Sequence, residues 1–190
     1  VIEIPGNAIT EAAKKFWRQG LFSDVVIKWT KAYGNKAWLE IQLKQQPRIS
    51  EINYHGIKKS EREDLEMRLG LVKGNQITPN IVDRATTIIK KHFEEKGFKN
   101  AEVNIKQTDD LTHENEVIVD IYVDKKEKVK VHKIYIDGNE VLSDRKIKWA
   151  MKKTNEKGNL LHLFRTKKFV EENYKNDKNL IIEKYNELGY

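Results

Sequence analysis

The chain has 190 residues, 34% charged and 38% hydrophobic, with 36 Lys and Arg against 29 Asp and Glu, a formal net charge of +7 and no cysteine. Length predicts one or two domains, and the modest apolar share suits small domains rather than one large core. The lack of cysteine excludes disulfides, thiol catalysis and Cys-based zinc sites, and no apolar run approaches the ~20 residues of a membrane helix.

Val1 to Gly6 do not read as a signal peptide, and with no initiator Met the sequence reads as a piece of a longer protein. Ile9, Ala12, Ala13, Phe16 and Trp17 lie at helical spacing. Two strands follow, the first carrying Val25, Ile27 and Trp29 and the second running from Ala37 to Leu43. Ile49 to Tyr54 predicts a short strand ending at Gly56, a turn glycine. Ser60-Glu61-Arg62-Glu63 has capping-box spacing and predicts the start of a helix through Leu65, Met67 and Leu69, broken up by Gly70 and Gly74. Thr78-Pro79 reads as N-cap and first turn of a second helix with a stripe of Ile81, Val82, Ala85, Ile88, Ile89 and Phe93. Gly97 is its expected stop. Ala101, Val103 and Ile105 alternate with Glu102, Asn104 and Lys106, a strand with one wet face. A polar turn through Asp109, Asp110 and Asn115 leads to Val117, Val119, Ile121 and Val123. Beyond it the pattern predicts a strand over Val131, Ile134 and Ile136, a helix around Ile147, Trp149 and Met151, and a helix through Leu180, Ile181, Tyr185 and Leu188.

The order strand, helix, helix, strand, strand recurs. Ile49, Ile52, Tyr54 and Gly56 match Val131, Ile134, Ile136 and Gly138 at one constant offset of about eighty residues. Ala37, Leu39, Ile41 and Leu43 match Val117, Val119, Ile121 and Val123 at nearly the same offset. Phe16 to Leu21, Phe93 to Phe98 and Tyr185 to Tyr190 all read aromatic, three residues, glycine, large apolar residue. The chain therefore divides into a partial repeat at 1–46 (second helix and last two strands), a complete one at 47–127 and a partial one at 128–190 (first strand and two helices). The joints are Gln45-Gln46-Pro47 and Asp124 to Lys130, both polar and rich in charge or proline.

In tandem, such a unit resembles the POTRA (polypeptide-transport-associated) domain. The residues that carry the resemblance are the Ile-x-Ile-x-Gly-Asn strand end at Ile134 to Asn139, the helix endings at 93–98 and 185–190, the strand pair that follows, and Phe-Ser-Asp-Val at 22–25. The middle copy departs from the pattern with Tyr54-His55-Gly56-Ile57. The resemblance spans nearly the whole chain and is greatest to assembly factors of the BamA type, with two-partner secretion transporters and chloroplast import channels as relatives. It implies an α+β fold of tandem β-α-α-β-β domains, each a three-stranded mixed sheet covered by two helices. It further implies a non-enzymatic array on the periplasmic side of the bacterial outer membrane. Such an array receives unfolded outer-membrane β-barrel precursors and docks accessory assembly subunits ahead of a membrane β-barrel.

The chemistry-bearing residues read blandly. His55, His92, His113, His132 and His162 form no ligand set by spacing, so no metal is expected. His92 lies on the helix stripe as a core residue, and Asp109-Asp110 reads as a solvated turn. No phosphate-binding glycine loop or nucleophile elbow occurs, so neither a cofactor nor catalysis is expected. The rival reading is a basic nucleic-acid-binding repeat. Against it, Gly70 to Gly74 has one residue too many for a KH clamp, Gly158 stands alone, and Lys125 to Lys130 is interrupted by Glu127 and Val129. No nucleic-acid partner is expected. A third reading is a POTRA-like scaffold of another secretion system.

What remains is the sheet edge. The first strand is expected to pair parallel with the last, leaving Ala101, Glu102, Val103, Asn104, Ile105, Lys106 and Gln107 as an outer strand able to accept another chain. Glu102 and Lys106 are the candidate gatekeepers against such pairing.

Overall fold

The computed structural model describes residues 6–156 and 167–190; Gly158 and His162 lie outside the described residues. The first unit is helix α1 (Asn7–Arg18) followed by an antiparallel ribbon of β1 (Phe22–Tyr33) and β2 (Lys36–Gln45). Apolar residues alternate along both strands, yet β2 is exposed along its whole length and α1 has no buried residue. Two strands and one helix cannot enclose a core.

The middle unit holds β3 (Arg48–His55), α2 (Lys59–Leu69), α3 (Pro79–Glu95), β4 (Glu102–Asp109) and β5 (Glu116–Asp124). Its sheet has the order β3-β5-β4, with β3 parallel to β5 and β4 antiparallel to it. The short β4–β5 hairpin enforces antiparallel pairing, whereas the two-helix crossover returns the chain for a parallel pair. Inward residues of the sheet (Ile49, Val117, Val119, Ile121, Val123) meet Leu65 and Leu69 of α2 and Ala85, Ile89 and Phe93 of α3 in one core.

α3 begins where Thr78-Pro79 predicts: the Ile81 N–H donates to Thr78 Oγ1 at 3.3 Å, and proline occupies a position whose N–H would have no helical partner. α2 begins earlier than Ser60 predicts. Glu61 accepts from the Lys58 N–H at 2.8 Å, so the reciprocal half of a capping box is built on Lys58 and the helix starts at Lys59. Lys125 also donates to Glu61 at 3.0 Å. Burial pushes the Glu61 carboxyl up, but the Lys58 N–H and the Lys125 ammonium outweigh it and hold the group below its ordinary value.

The third unit contains α4 (Asp144–Ala150) and α5 (Glu171–Asn186), packed together. The strand expected over Val131 to Ile136 is not formed; the segment makes one bridge, Lys130 with Lys168. Its repeat partner would be a last strand like β5, and no strand follows α5 among the described residues. Asp177 on α5 is fully buried and accepts from the backbone N–H groups of Lys152, Lys153 and Thr154, which fixes the chain leaving α4.

The second joint is held by backbone bonds. The Val129 N–H donates to Gly97 O at 3.0 Å, and the Phe169 N–H donates to Val129 O at 2.8 Å. Lys168 Nζ donates to Glu95 O at 3.2 Å, and Lys99 pairs with Glu171.

Candidate edge-strand site

The middle sheet has two outer strands, β3 and β4, and they differ. Half of the β3 edge is occupied by the chain's own loop. The Ile49 N–H donates to Asn75 O at 2.9 Å, the Gly74 N–H donates to Ile49 O at 2.7 Å, and the Ile77 N–H donates to Pro47 O at 2.9 Å. Arg48 Nη1 adds a bond to Gly74 O at 2.7 Å. Residues 74–77 thus stand where an added strand would start.

Nothing comparable covers β4 among the described residues. The candidate segment Ala101 to Gln107 falls on it, though the strand runs on to Asp109, and Ala101 precedes it with its N–H donated to Phe98 O. Val103 and Ile105 pack against the core, while Glu102, Asn104 and Lys106 are exposed on the far face. The ladder parity follows from one bond. Register is continuous from Glu102 opposite Asp124 to Asp109 opposite Val117, and at its next step the Asp110 N–H donates to Glu116 O at 2.9 Å. Opposed pairs in an antiparallel ladder alternate between hydrogen-bonded and non-bonded. The even-numbered residues of β4 therefore bond to β5, and the N–H and C=O groups of Val103, Ile105 and Gln107 point to the open edge.

The two candidate gatekeepers are held towards β5. Lys106 Nζ lies over the Tyr122 ring, 5.4 Å from its centroid, and Glu102 pairs with Lys126 at 3.3 Å. His55 stacks on the same Tyr122 ring at 4.4 Å, and its Nε2 is 2.9 Å from Asp120 Oδ1. This gives the uncovered face of the sheet an ordered set of polar and aromatic contacts, none of them over the β4 edge.

At the far end of β4, the turn gathers groups that sequence spacing did not link. Asp110, His113 and Glu116 offer ligand atoms all within 4.8 Å of one another, with His113 Nδ1 3.2 Å from Asp110 Oδ2. The Thr112 hydroxyl and N–H both donate to Asp110 Oδ1. Those bonds, with a contribution from the Ser50 hydroxyl, hold the Asp110 carboxyl far below the usual carboxylate range. The available signal was a His flanked at three residues on each side by a carboxylate, which becomes a cluster only when a hairpin closes over it. Elsewhere His92 is a core residue, as its place on the stripe predicts. It is 2% exposed, edge-to-face with Phe93, and its Nδ1 is 3.7 Å from Asp64.

The POTRA family, described as the surface antigen variable number repeat, matches residues 47–126 and 129–190. This chain belongs to the POTRA family. Over 188 residues it is 26% identical to the outer membrane protein assembly factor BamA of Neisseria meningitidis, covering 97% of this chain and 22% of that protein. The chain thus spans about a fifth of the length of that relative. Among solved structures, BamA from Haemophilus ducreyi lacking POTRA domains 1–3 matches 70% of this chain and 23% of that one, with TM-score 0.50 and 18% identity. A POTRA3–5 fragment of Haemophilus influenzae BamA matches 86% of this chain and 61% of that one, with TM-score 0.47 and 15% identity. The expected α+β fold of tandem POTRA repeats is borne out, with the complete three-stranded unit in the middle copy.

Proposed function

We propose that this POTRA array is a non-enzymatic scaffold on the periplasmic side of a bacterial outer membrane. It receives unfolded β-barrel precursors and docks accessory assembly subunits, and β4 is one receiving edge. The observation that carries this reading is the row of outward N–H and C=O groups at Val103, Ile105 and Gln107, beside a β3 edge already half occupied. A precursor strand added to β4 gains backbone bonds whatever its side chains are, which suits a receiver of many sequences. Binding at one edge is weak, because ordering the partner costs ~1–2 kcal/mol per residue. Nucleic acid is not a partner: binding to RNA or duplex DNA at physiological salt stays at the non-specific level, ~10 µM or weaker.

The test is a proline scan read by NMR with an alternating apolar–polar strand peptide. Gln107 is exposed and its N–H leaves the sheet, so Gln107→Pro keeps the fold and abolishes peptide binding, whereas Gln107→Ala keeps both. Lys106→Pro removes a rung to Asp120 and unfolds the sheet edge. Peptide binding that survives Gln107→Pro with unchanged shifts in β4 rules this edge out.

A further inference from the structure

We propose that the β4–β5 turn is a site for a borderline divalent metal ion, of which Zn²⁺ is the probe, with Asp110, His113 and Glu116 as its protein ligands. All three donors come from one turn, whose ends are fixed by the β4–β5 ladder. Zinc holds nitrogen and oxygen ligands at about 2.0–2.2 Å, so neighbouring donors stand about 3.3 Å apart. His113 Nδ1 and Asp110 Oδ2 are already 3.2 Å apart. Glu116 has only to bring its carboxylate in by about 1–1.5 Å from the present 4.8 Å limit. That carboxylate is half-buried and has no hydrogen bond or ion pair among the described residues, so nothing else holds it.

The second observation is Ser50. It is the extra residue at the register shift between Ile49 and Glu51 of β3, which turns it inward beside Ile49. The hydroxyl is buried, 5% exposed, and completes no hydrogen bond. The side chain it faces is Asp110. A buried hydroxyl without a partner is costly, and one facing a carboxylate cluster is placed to accept from a metal-bound water. Two cations lie near, Lys44 in the same cleft and Arg48 opposite Glu116 in the ladder, but the Arg48 guanidinium donates to Gly74 O and neither pairs with the three donors. Lys106 and Lys125 enclose a stretch with no Lys or Arg, and His113 is the only ion-pair partner of Asp110 among the described residues. One imidazole with two carboxylates suits Zn²⁺ or its neighbours, while Ca²⁺ and Mg²⁺ require shells made of oxygen alone.

The experiment is calorimetric titration of the untagged chain with Zn²⁺ at neutral pH, paired with backbone NMR. One equivalent binds, and the shift changes centre on residues 110–116 and Ser50. Glu116→Gln and His113→Asn each weaken binding by at least about tenfold, and Ser50→Ala, acting through the bound water, by about tenfold. Circular dichroism confirms that His113→Asn, a change at an exposed side chain, leaves the fold intact. Ca²⁺ and Mg²⁺ do not compete. The proposal is overturned if Zn²⁺ does not bind at millimolar concentration. It is equally overturned if affinity is unchanged in both Glu116→Gln and His113→Asn, or if the shifts centre on His55, His92 or His132.

Discussion

Gly56 and Gly138 hold the same place in two copies of one repeat, and their surroundings are opposite. Both have positive φ, +81° and +75°. A Cβ on Gly56 would lie 2.1 Å from the backbone oxygen of Val123, whereas a Cβ on Gly138 would meet nothing within 4 Å. The difference is β5, which runs beside Gly56; among the described residues no strand takes that place beside Gly138. The same contrast separates the first and middle units. Ile41 and Ile121 are equivalent in the repeat; Ile121 is fully buried and Ile41 is 49% exposed. Local sequence sets the helices in every copy, but elements distant along the chain decide whether a strand forms and whether an apolar residue becomes core.

The largest expected effect tests that contrast directly. Phe93 is fully buried among α2, α3 and the sheet, so Phe93→Ala costs about 3–5 kcal/mol in chemical denaturation. Ile41→Ala costs no more than about 0.5 kcal/mol, as at other exposed positions. Equal costs would mean that the first unit has a core of its own. Next come the two glycines. Gly138→Ala costs about 1–2 kcal/mol from its left-handed conformation alone. Gly56→Ala carries that strain and a clash with backbone that cannot move aside, so its melting temperature falls further. A matched pair of melting curves would break the comparison if they coincided.

A loss of similar size is expected at Asp177. Asp177→Ala leaves the N–H groups of residues 152–154, that of Thr154 buried, without their acceptor, at about 1–3 kcal/mol, and amide exchange there rises while β5 keeps its protection. The smallest effect depends on pH. Burial, then the Lys96 charge, holds the His92 imidazole below its ordinary value, with Asp64 opposing. The unfolded chain therefore binds the proton first, so stability is full above about pH 6.5 and falls as pH drops below it. His92→Gln flattens that slope between neutral and mildly acidic buffers; an unchanged slope would assign it to other groups.

How much of this was legible depends on how local the cause is. The α3 stripe and its Thr78-Pro79 start are local, and both stand in the structure. The parallel pairing of β3 with β5 followed from the two-helix crossover. The start of α2 was misplaced because the choice between Ser60 and Lys58 turns on where Glu61 reaches. The inequality of the two edges was invisible, since it arises from residues 74–77 folding back on β3. Asp177 gave no signal either, because a carboxylate on a helix reads as solvated until three backbone donors converge on it. The third unit's first strand reads as clearly as β3, yet a strand forms only against a neighbour.

One consequence of the open edges lies in number rather than strength. β1 occupies in the first unit the repeat position that β4 occupies in the middle one, and it too lies at the outside of its sheet. If both accept the same extended chain, the second contact is made at the effective concentration set by the short joint between them. Linked weak sites of this kind gain roughly 10²–10⁴ in avidity without any new contact. Each contact still dissociates at its own fast rate, so a long client is retained while any one of its segments is free to leave.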